Sequence, residues 1–360
     1  MTNLLSLDWL SLYVRCPQLG KHTSFTIKRM PYGTRQYRYI DEYFYNSNRI
    51  ATLCHAPLSP ILTSGTGILK FDNHIFYTSG GLQFINYILN EFDYELLSIS
   101  RLDICSDFQY FDNGWTPNLL IHSFLKNDLW KIGQNNYNDR GKQDNNHKHS
   151  YLRFGSNTSD VAIYLYNKSL EMREVKQKNY IVDKWKKCNY LEDKDIWRLE
   201  VSIKGSNLKV IDTESGEQRN IQLSDLQDFD NLTQLYNSLI DKYFEFRIND
   251  GQQRKDRMER LPLFSGSYDK YCIYIPNKHN VTTRADRIFV KKAEETFKEL
   301  RERGKLSDEV TADMLLKVLE LTNLDDWYLK QLSDGQVVRE VEKRKLQEWL
   351  NLGSGGTPPV

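Results

Sequence analysis

Cysteine is scarce and irregular in this 360-residue chain. Its five cysteines, Cys16, Cys54, Cys105, Cys188 and Cys272, are odd in number, scattered, and never spaced CxxC. That excludes a disulfide framework and a zinc ribbon or finger, and leaves reduced thiols. No apolar run approaches 18 residues, so no transmembrane helix is expected. The opening stretch "MTNLLSLDWLSLYVRC" has no basic n-region and no small-residue cleavage site, and Asp8 interrupts its apolar character. A cytoplasmic protein is the expectation. Charge imbalance is also missing: the formal net charge is +1, so any contact with nucleic acid must rest on local patches. No internal repeat is present.

What is there reads as a soluble α+β protein: 39% hydrophobic and 27% charged residues, in a chain long enough for two or three domains. From His22 to Tyr77, aromatic or β-branched residues alternate with polar ones ("TSFTIKRM", "RQYRYIDEYFY", "HIFYT"). Turn residues at Pro31, Gly33 and Asp72-Asn73 punctuate the alternation, which predicts antiparallel hairpins. "GGLQFINYILNEF" places Leu82, Ile85, Ile88 and Leu89 at helical spacing. "TPNLLIHSFLKND" is a second helix, with Thr116 at its cap and Pro117 at its first position. Strands follow at "HSYLRFGS", "VAIYLYNK" and "DIWRLEVSIKG", with an amphipathic basic helix over Ser169 to Lys187.

The expected fold is therefore a mainly antiparallel sheet with helices on one face, followed by a helical C-terminal region. The expected domains are 1–215, the sheet domain with the catalytic function; 216–352, mainly helical and DNA-binding or accessory; and a disordered tail, 353–360. Joints in the helical region are expected at Gly304, Asn323 and Gly335.

Three strands share one polar face. Side chains alternate along a strand, so "SRLDICSDF" divides into Leu102, Ile104, Ser106 and Phe108 against Arg101, Asp103, Cys105 and Asp107. "VAIYLYNK" sets Val161, Ile163 and Leu165 against Tyr164, Tyr166 and Lys168. "WRLEVSIK" sets Trp197, Leu199, Val201 and Ile203 against Arg198, Glu200, Ser202 and Lys204. A sheet with one wet face shows such alternation anyway. The identity of the polar residues favours a second reading, because aspartate is a poor strand former and two at i and i+4 on one face need a reason. Mg²⁺ or Mn²⁺ is such a reason, since both select carboxylate oxygens. With tyrosines and a lysine beside the acids, the chemistry suggested is transesterification at a phosphodiester. A phenol of pKa near 10 becomes an effective nucleophile with help from a metal, base or cation.

At these residues the sequence resembles the trans-acting rolling-circle replication initiators of plasmids and the related relaxases of conjugative elements. The likeness lies in an ordered set over residues 101–204: "RLDICSDF", then "YLRFGSNTSDVAIYLYNKSLE" with a Gly-Ser turn and a Tyr-x-Lys-x-x-Glu segment, then "WRLEVSIK" with Arg-x-Glu. The resemblance implies a nick at an origin by a tyrosine that becomes joined to the 5′ phosphate, with Mg²⁺ or Mn²⁺ held by acids. Carried over, it makes Tyr166 the nucleophile and Lys168 its helper. Asp103 and Glu200 become metal ligands, Asp107 a lesser one, and Tyr164 an alternative nucleophile or a stacking residue. It further implies partly single-stranded origin DNA as partner, with a host helicase and a second copy of the chain. A relaxase, or a non-catalytic DNA-binding protein of the same fold, is the alternative.

His147 and His149, in "NNHKHS", invite comparison with a His-hydrophobic-His metal motif, but Lys148 stands between them and the flank is polar. A surface pair is the simpler reading. The segment Lys168 to Lys187 holds seven Lys/Arg against three acids, and the 22 tyrosines could stack unpaired bases or merely furnish strands.

Overall fold

The computed structural model describes residues 4–16, 24–58, 63–133, 137–141, 149–156, 159–175, 177–191, 193–205, 208–213, 216–252, 254–266, 271–273 and 284–307. It also describes 310–311, 314–315 and 317–319. The chain begins with five strands, β1 (Leu4–Arg15), β2 (Thr26–Arg29), β3 (Tyr37–Tyr45), β4 (Asn48–Pro57) and β5 (Thr66–Phe71). A 3₁₀ turn (Asn73–Tyr77), helix α1 (Gly81–Glu91), the long β6 (Glu95–Phe108) and α2 (Pro117–Leu125) follow. After β7 (Leu129–Lys131), β8 (Tyr137–Gly141), β9 (His149–Phe154) and β10 (Val161–Asn167) come α3 (Lys168–Glu174), α4 (Asn179–Lys187) and β11 (Trp197–Lys204). The remainder is β12 (Lys209–Asp212), β13 (Gln218–Asn220), α5 (Leu223–Gln227), α6 (Phe229–Tyr243), β14 (Phe246–Ile248), β15 (Tyr271–Ile273) and α7 (Arg284–Glu302).

Ten strands form one antiparallel sheet in the order β2-β3-β4-β5-β1-β6-β11-β10-β9-β8. One face carries the core. Leu102, Ile104, Leu199, Val201, Ile203 and Leu165 are fully buried there, in one cluster with Ile85 and Ile88 of α1, Leu120 and Ile121 of α2, and Leu235 and Leu239 of α6. Each such side chain contributes roughly 1.5–3 kcal/mol on burial. The expected α+β class is the observed one, and both N-terminal helices fall where periodicity puts them. Thr116 accepts from Leu119 N at the start of α2, as its capping position requires.

Three features refine the expected picture. First, the stretch around Asp8 is a central strand: β1 lies between β5 and β6. Leu7 pairs with Ile104 and Trp9 with Asp103, so Asp8 is the extra residue of a β-bulge. Second, the basic segment Ser169 to Lys187 is two helices, not one. The chain leaves helical geometry after α3, and α4 starts anew at Asn179. These helices and the 3₁₀ turn lie over the polar side of the sheet, where Tyr77, Met172, Ile181, Trp185 and Ile196 form a second apolar cluster. Gly81 lets α1 approach that turn, since a Cβ there would lie 1.9 Å from Ile75 O. Third, α5 and α6 belong with the sheet. Tyr236 donates to Leu199 O on β11 at 3.1 Å, and the first compact unit comprises residues 1–57 and 64–275 rather than ending near 215.

The second unit comprises 58–63 and 276–360. Its described part is dominated by α7, which stops at Gly304 (φ 68°). Gly304 N donates to Arg301 O and Lys305 N to Leu300 O, the two bonds of a Schellman cap. The expected joints at Asn323 and Gly335 and the tail 353–360 lie outside the described residues, as does His147. Among the described residues, no helix is long and apolar enough to cross a membrane.

Candidate functional site

Strand register assembles the site. β6 and β11 pair Asp107 with Arg198, Cys105 with Glu200 and Asp103 with Ser202, while β10 places Tyr166 opposite Arg198 and Tyr164 opposite Glu200. Alternation then brings all of these side chains to one face, which the bulged Asp8 joins from β1.

One end of this face is closed around Arg198, which has no solvent exposure. Its Nε and Nη2 donate to the two carboxylate oxygens of Asp107 at 2.6 and 2.8 Å, the bidentate geometry that suits a guanidinium. Nη2 also donates to the Tyr77 hydroxyl at 2.9 Å, and Nη1 pairs with Asp8. Trp185 Nε1 of α4 donates to Asp107 Oδ2 at 2.7 Å, and Ser6 Oγ donates to Tyr77 at 3.0 Å. Every charge here has a partner, as burial demands.

The other end is acidic and less fully matched. Tyr166 donates its hydroxyl to Glu200 Oε2 at 3.1 Å. Asp103 is buried and held by Arg101, through Nε at 2.9 Å and Nη2 at 2.5 Å, with Arg101 also over the Trp9 ring at 4.7 Å. Asp8 accepts from Asn73 Nδ2 at 3.0 Å as well as from Arg198. No ion pair among the described residues reaches Glu200, which has a phenol where the other acids have a cation. Burial, then the charges of Asp8 and Asp103, push its carboxyl up to about 8, with Arg198 and the Tyr166 hydrogen bond only partly offsetting them. Burial likewise raises Asp103 despite Arg101. Burial also opposes ionisation of Asp8, but Arg198, Lys168 and Lys178 outweigh it and hold the carboxyl below its ordinary value. Tyr166 is raised well above the ordinary tyrosine value, by burial and then by Glu200.

Lys168 is the first residue of α3 rather than the last of the strand, with Asn167 capping the helix by accepting from Leu170 N. It is buried, its Nζ pairs with Glu171, and it stands 5.3 Å from the centre of the Tyr166 ring. Tyr164, half-buried, lies beneath Arg153 at 5.1 Å, with the Tyr151 ring 6.5 Å away.

Five of the six residues singled out from sequence share one sheet face, and Lys168 joins them from the first turn of α3, but that face is covered rather than open. Asp103 is 1% exposed and Glu200 8%, because α3, α4 and the 3₁₀ turn cover the polar side of the strands. Asp107 sits among donors that already occupy both of its oxygens. His149 stands 4.0 Å from Asp139 and faces His122 at 6.4 Å between ring centres. Sequence reading missed Asp8, whose signal was an acid inside an apolar run, and the hub role of Arg198, whose partners lie 91 and 190 residues away.

For a divalent cation, the donors at hand are hard carboxylate oxygens, which suit Mg²⁺ or Mn²⁺. Among the described residues, no three His, Cys, Asp or Glu side chains stand ready as a ligand set. One or two carboxylates completed by phosphate oxygens and water suffice for Mg²⁺. Asp103 is held by Arg101 and Asp8 by Arg198, whereas Glu200 accepts only from a phenol, so its hard oxygens are the ones that suit such an ion.

No protein-family model matches the chain, and no curated protein matches it. Among solved structures, the chain is similar to a rolling-circle replication initiator protein from Geobacillus stearothermophilus. The two are 12% identical, with a TM-score of 0.44 over 72% of this chain and 93% of the other. A superposition that loose assigns no activity.

Proposed function

We propose that this protein nicks and rejoins one DNA strand through Tyr166, in a divalent-metal-dependent reaction that starts rolling-circle replication of a plasmid or mobile element. The observation that carries this reading is the hydrogen bond from the Tyr166 hydroxyl to Glu200 Oε2 at 3.1 Å, inside a cluster of acids. A nucleophile and a proton acceptor within hydrogen-bond reach are what a transesterase needs. The sequence likeness at residues 101–204 supports the same reading.

In the proposed reaction Glu200 acts in its ionised form, and the Tyr166 proton passes to it as the phenolic oxygen attacks the scissile phosphorus. The new bond is a phosphotyrosine ester to the 5′ phosphate. The bond to the 3′ oxygen breaks, and that oxygen takes a proton from water as it leaves as a free hydroxyl. Asp103 and Glu200, with Asp8 beside them, are the carboxylates that would hold Mg²⁺ or Mn²⁺, and the ion would supply charge stabilisation at the phosphate oxygens. Lys168 lies against the Tyr166 ring, where its charge favours the phenolate. Asp107 serves the site indirectly, by fixing Arg198 and through it Asp8. Tyr164, under Arg153, is a stacking residue in this scheme.

The test is incubation with Mn²⁺ and single-stranded oligonucleotides tiling the DNA element that carries the gene. A covalent protein–DNA adduct is expected from the unaltered chain and none from Tyr166→Phe. Binding without an adduct across the whole tiling would favour a non-catalytic DNA-binding protein.

A further inference from the structure

The polar face does not end at Asp103. Register carries it sideways, because Trp9 stands opposite Asp103, Ser11 opposite Arg101, Lys70 opposite Ser11 and Thr52 opposite Lys70. Over this part of the sheet, the 3₁₀ turn and the start of α4 leave a groove of about 690 Å³. Its volume falls within the roughly 300–1,000 Å³ of pockets that enclose small ligands. Its walls offer aromatic rings, Trp9, His74 and Tyr180, and two cations, Lys70 and Lys178. Arg49 is bound through two nitrogens to Asp72 and through the third to Glu42 at 2.8 Å, so this trio carries one negative charge against the two lysines. The groove is therefore net positive, although it borders an acidic site.

The groove is also wired to that site. Tyr180 donates to Asn73 Oδ1 at 3.0 Å, Asn73 Nδ2 donates to Asp8 at 3.0 Å, and Asp8 pairs with Arg198. Trp9 and Asp8 are the two residues of the β1 bulge, so the ring in the groove and the acid in the cluster are chain neighbours. Lys178, at the cap of α4, is half-buried beside Lys168 and its ammonium is lowered by burial and then by that like charge, a setting that an anion would relieve.

Rings that tolerate any base, in a groove that also holds cations for phosphates, are the chemistry of single-strand binding. We propose that this groove seats unpaired nucleotides of the strand that is cut, with a base on Trp9 and phosphates at Lys70 and Lys178. Only the identity of that strand rests on the nicking reading. The groove itself is a single-strand binding site whether or not Tyr166 attacks.

The experiment is fluorescence anisotropy with a fluorescein-labelled oligothymidine, titrated at several salt concentrations, on the full chain. Trp9→Ala is expected to weaken binding by about 5- to 140-fold, the worth of one lost base stack. Lys178→Gln and Lys70→Gln, which need no repacking of a large ring, are expected each to lower the salt slope by about 0.7. Unchanged affinity and salt slope in both folded lysine variants would overturn the proposal, and so would competition by thymidine monophosphate as effective as by the oligonucleotide. Binding that depends on Trp9 and the lysines, with no adduct across the tiling oligonucleotides, would keep the groove and sink the nicking reading. An adduct with binding indifferent to all three variants would do the reverse.

Discussion

Arg198 and Glu200 are two residues apart on one strand and share one face, yet their surroundings differ in kind. Arg198 meets Asp107 through two hydrogen bonds, and Trp185 and Tyr77 complete the set. Glu200 meets a phenol and lies near two other acids. Burying a charge with all of its partners makes architecture, while burying one without them leaves a group whose ionisation costs energy and whose chemistry is available. The two ends of the face divide along that line.

The largest effect should come from breaking the matched end. Asp107→Ala removes both bonds of the bidentate pair and leaves Arg198 Nε unpartnered in a dry interior with only Asp8 as counter-charge, a loss of about 3–5 kcal/mol. Thermal or urea unfolding would read it, and a loss near that of an exposed carboxylate would show that the pair is not the anchor described. At the unmatched end the dominant effect is on pH dependence. The carboxyl of Glu200 titrates near 4.5 when unfolded and about 8 when folded. Its protonated form therefore stabilises the fold fully below the lower value, and that contribution is lost as pH rises towards the upper one. Stability should fall between about pH 5 and pH 8, and Glu200→Gln should flatten the slope.

Mn²⁺ sharpens the contrast further. It should raise the Tm of the unaltered chain more at pH 8 than at pH 6, because the ionised carboxylate is its ligand. Glu200→Gln should lose most of that shift, and Asp107→Asn should keep it if that variant folds. A shift equal in both variants would place the ion elsewhere. The smallest effect is expected for Tyr164→Phe, which removes a hydroxyl with no part in the Tyr166–Glu200 contact. Stability should change by no more than about 1 kcal/mol, and adduct formation should persist.

Much of this arrangement is legible in the sequence, for physical reasons. Periods of 2 and 3.6 identify β6, β9, β10, β11, α1 and α2, and alternation alone predicts that Asp103, Glu200 and Tyr166 share a face. Alternation does not say whether that face is wet. All but the last residue of β11 is buried, and the cover comes from α3, α4 and a 3₁₀ turn whose docking depends on contacts such as Trp185 to Asp107, 78 residues apart. Nor does it find β1, because "LLSLDWLSLYVR" mixes its signals. The bulge at Asp8 shifts the alternation by one residue, hiding both a central strand and an acid of the site. The helical stripe Leu232, Leu235, Leu239 marks α6 correctly but carries no sign that α6 packs on the sheet.

The comparison of the two ends rests on which hydroxyl faces the unmatched acid. Tyr164 is the direct cross-strand neighbour of Glu200, whereas Tyr166 reaches it diagonally and makes the hydrogen bond. Proteolysis of the Mn²⁺-dependent adduct, followed by mass mapping of the nucleotide-bearing peptide, separates the two. The account predicts the modification on Tyr166. A nucleotide on Tyr164, or on any residue outside this sheet face, would contradict it.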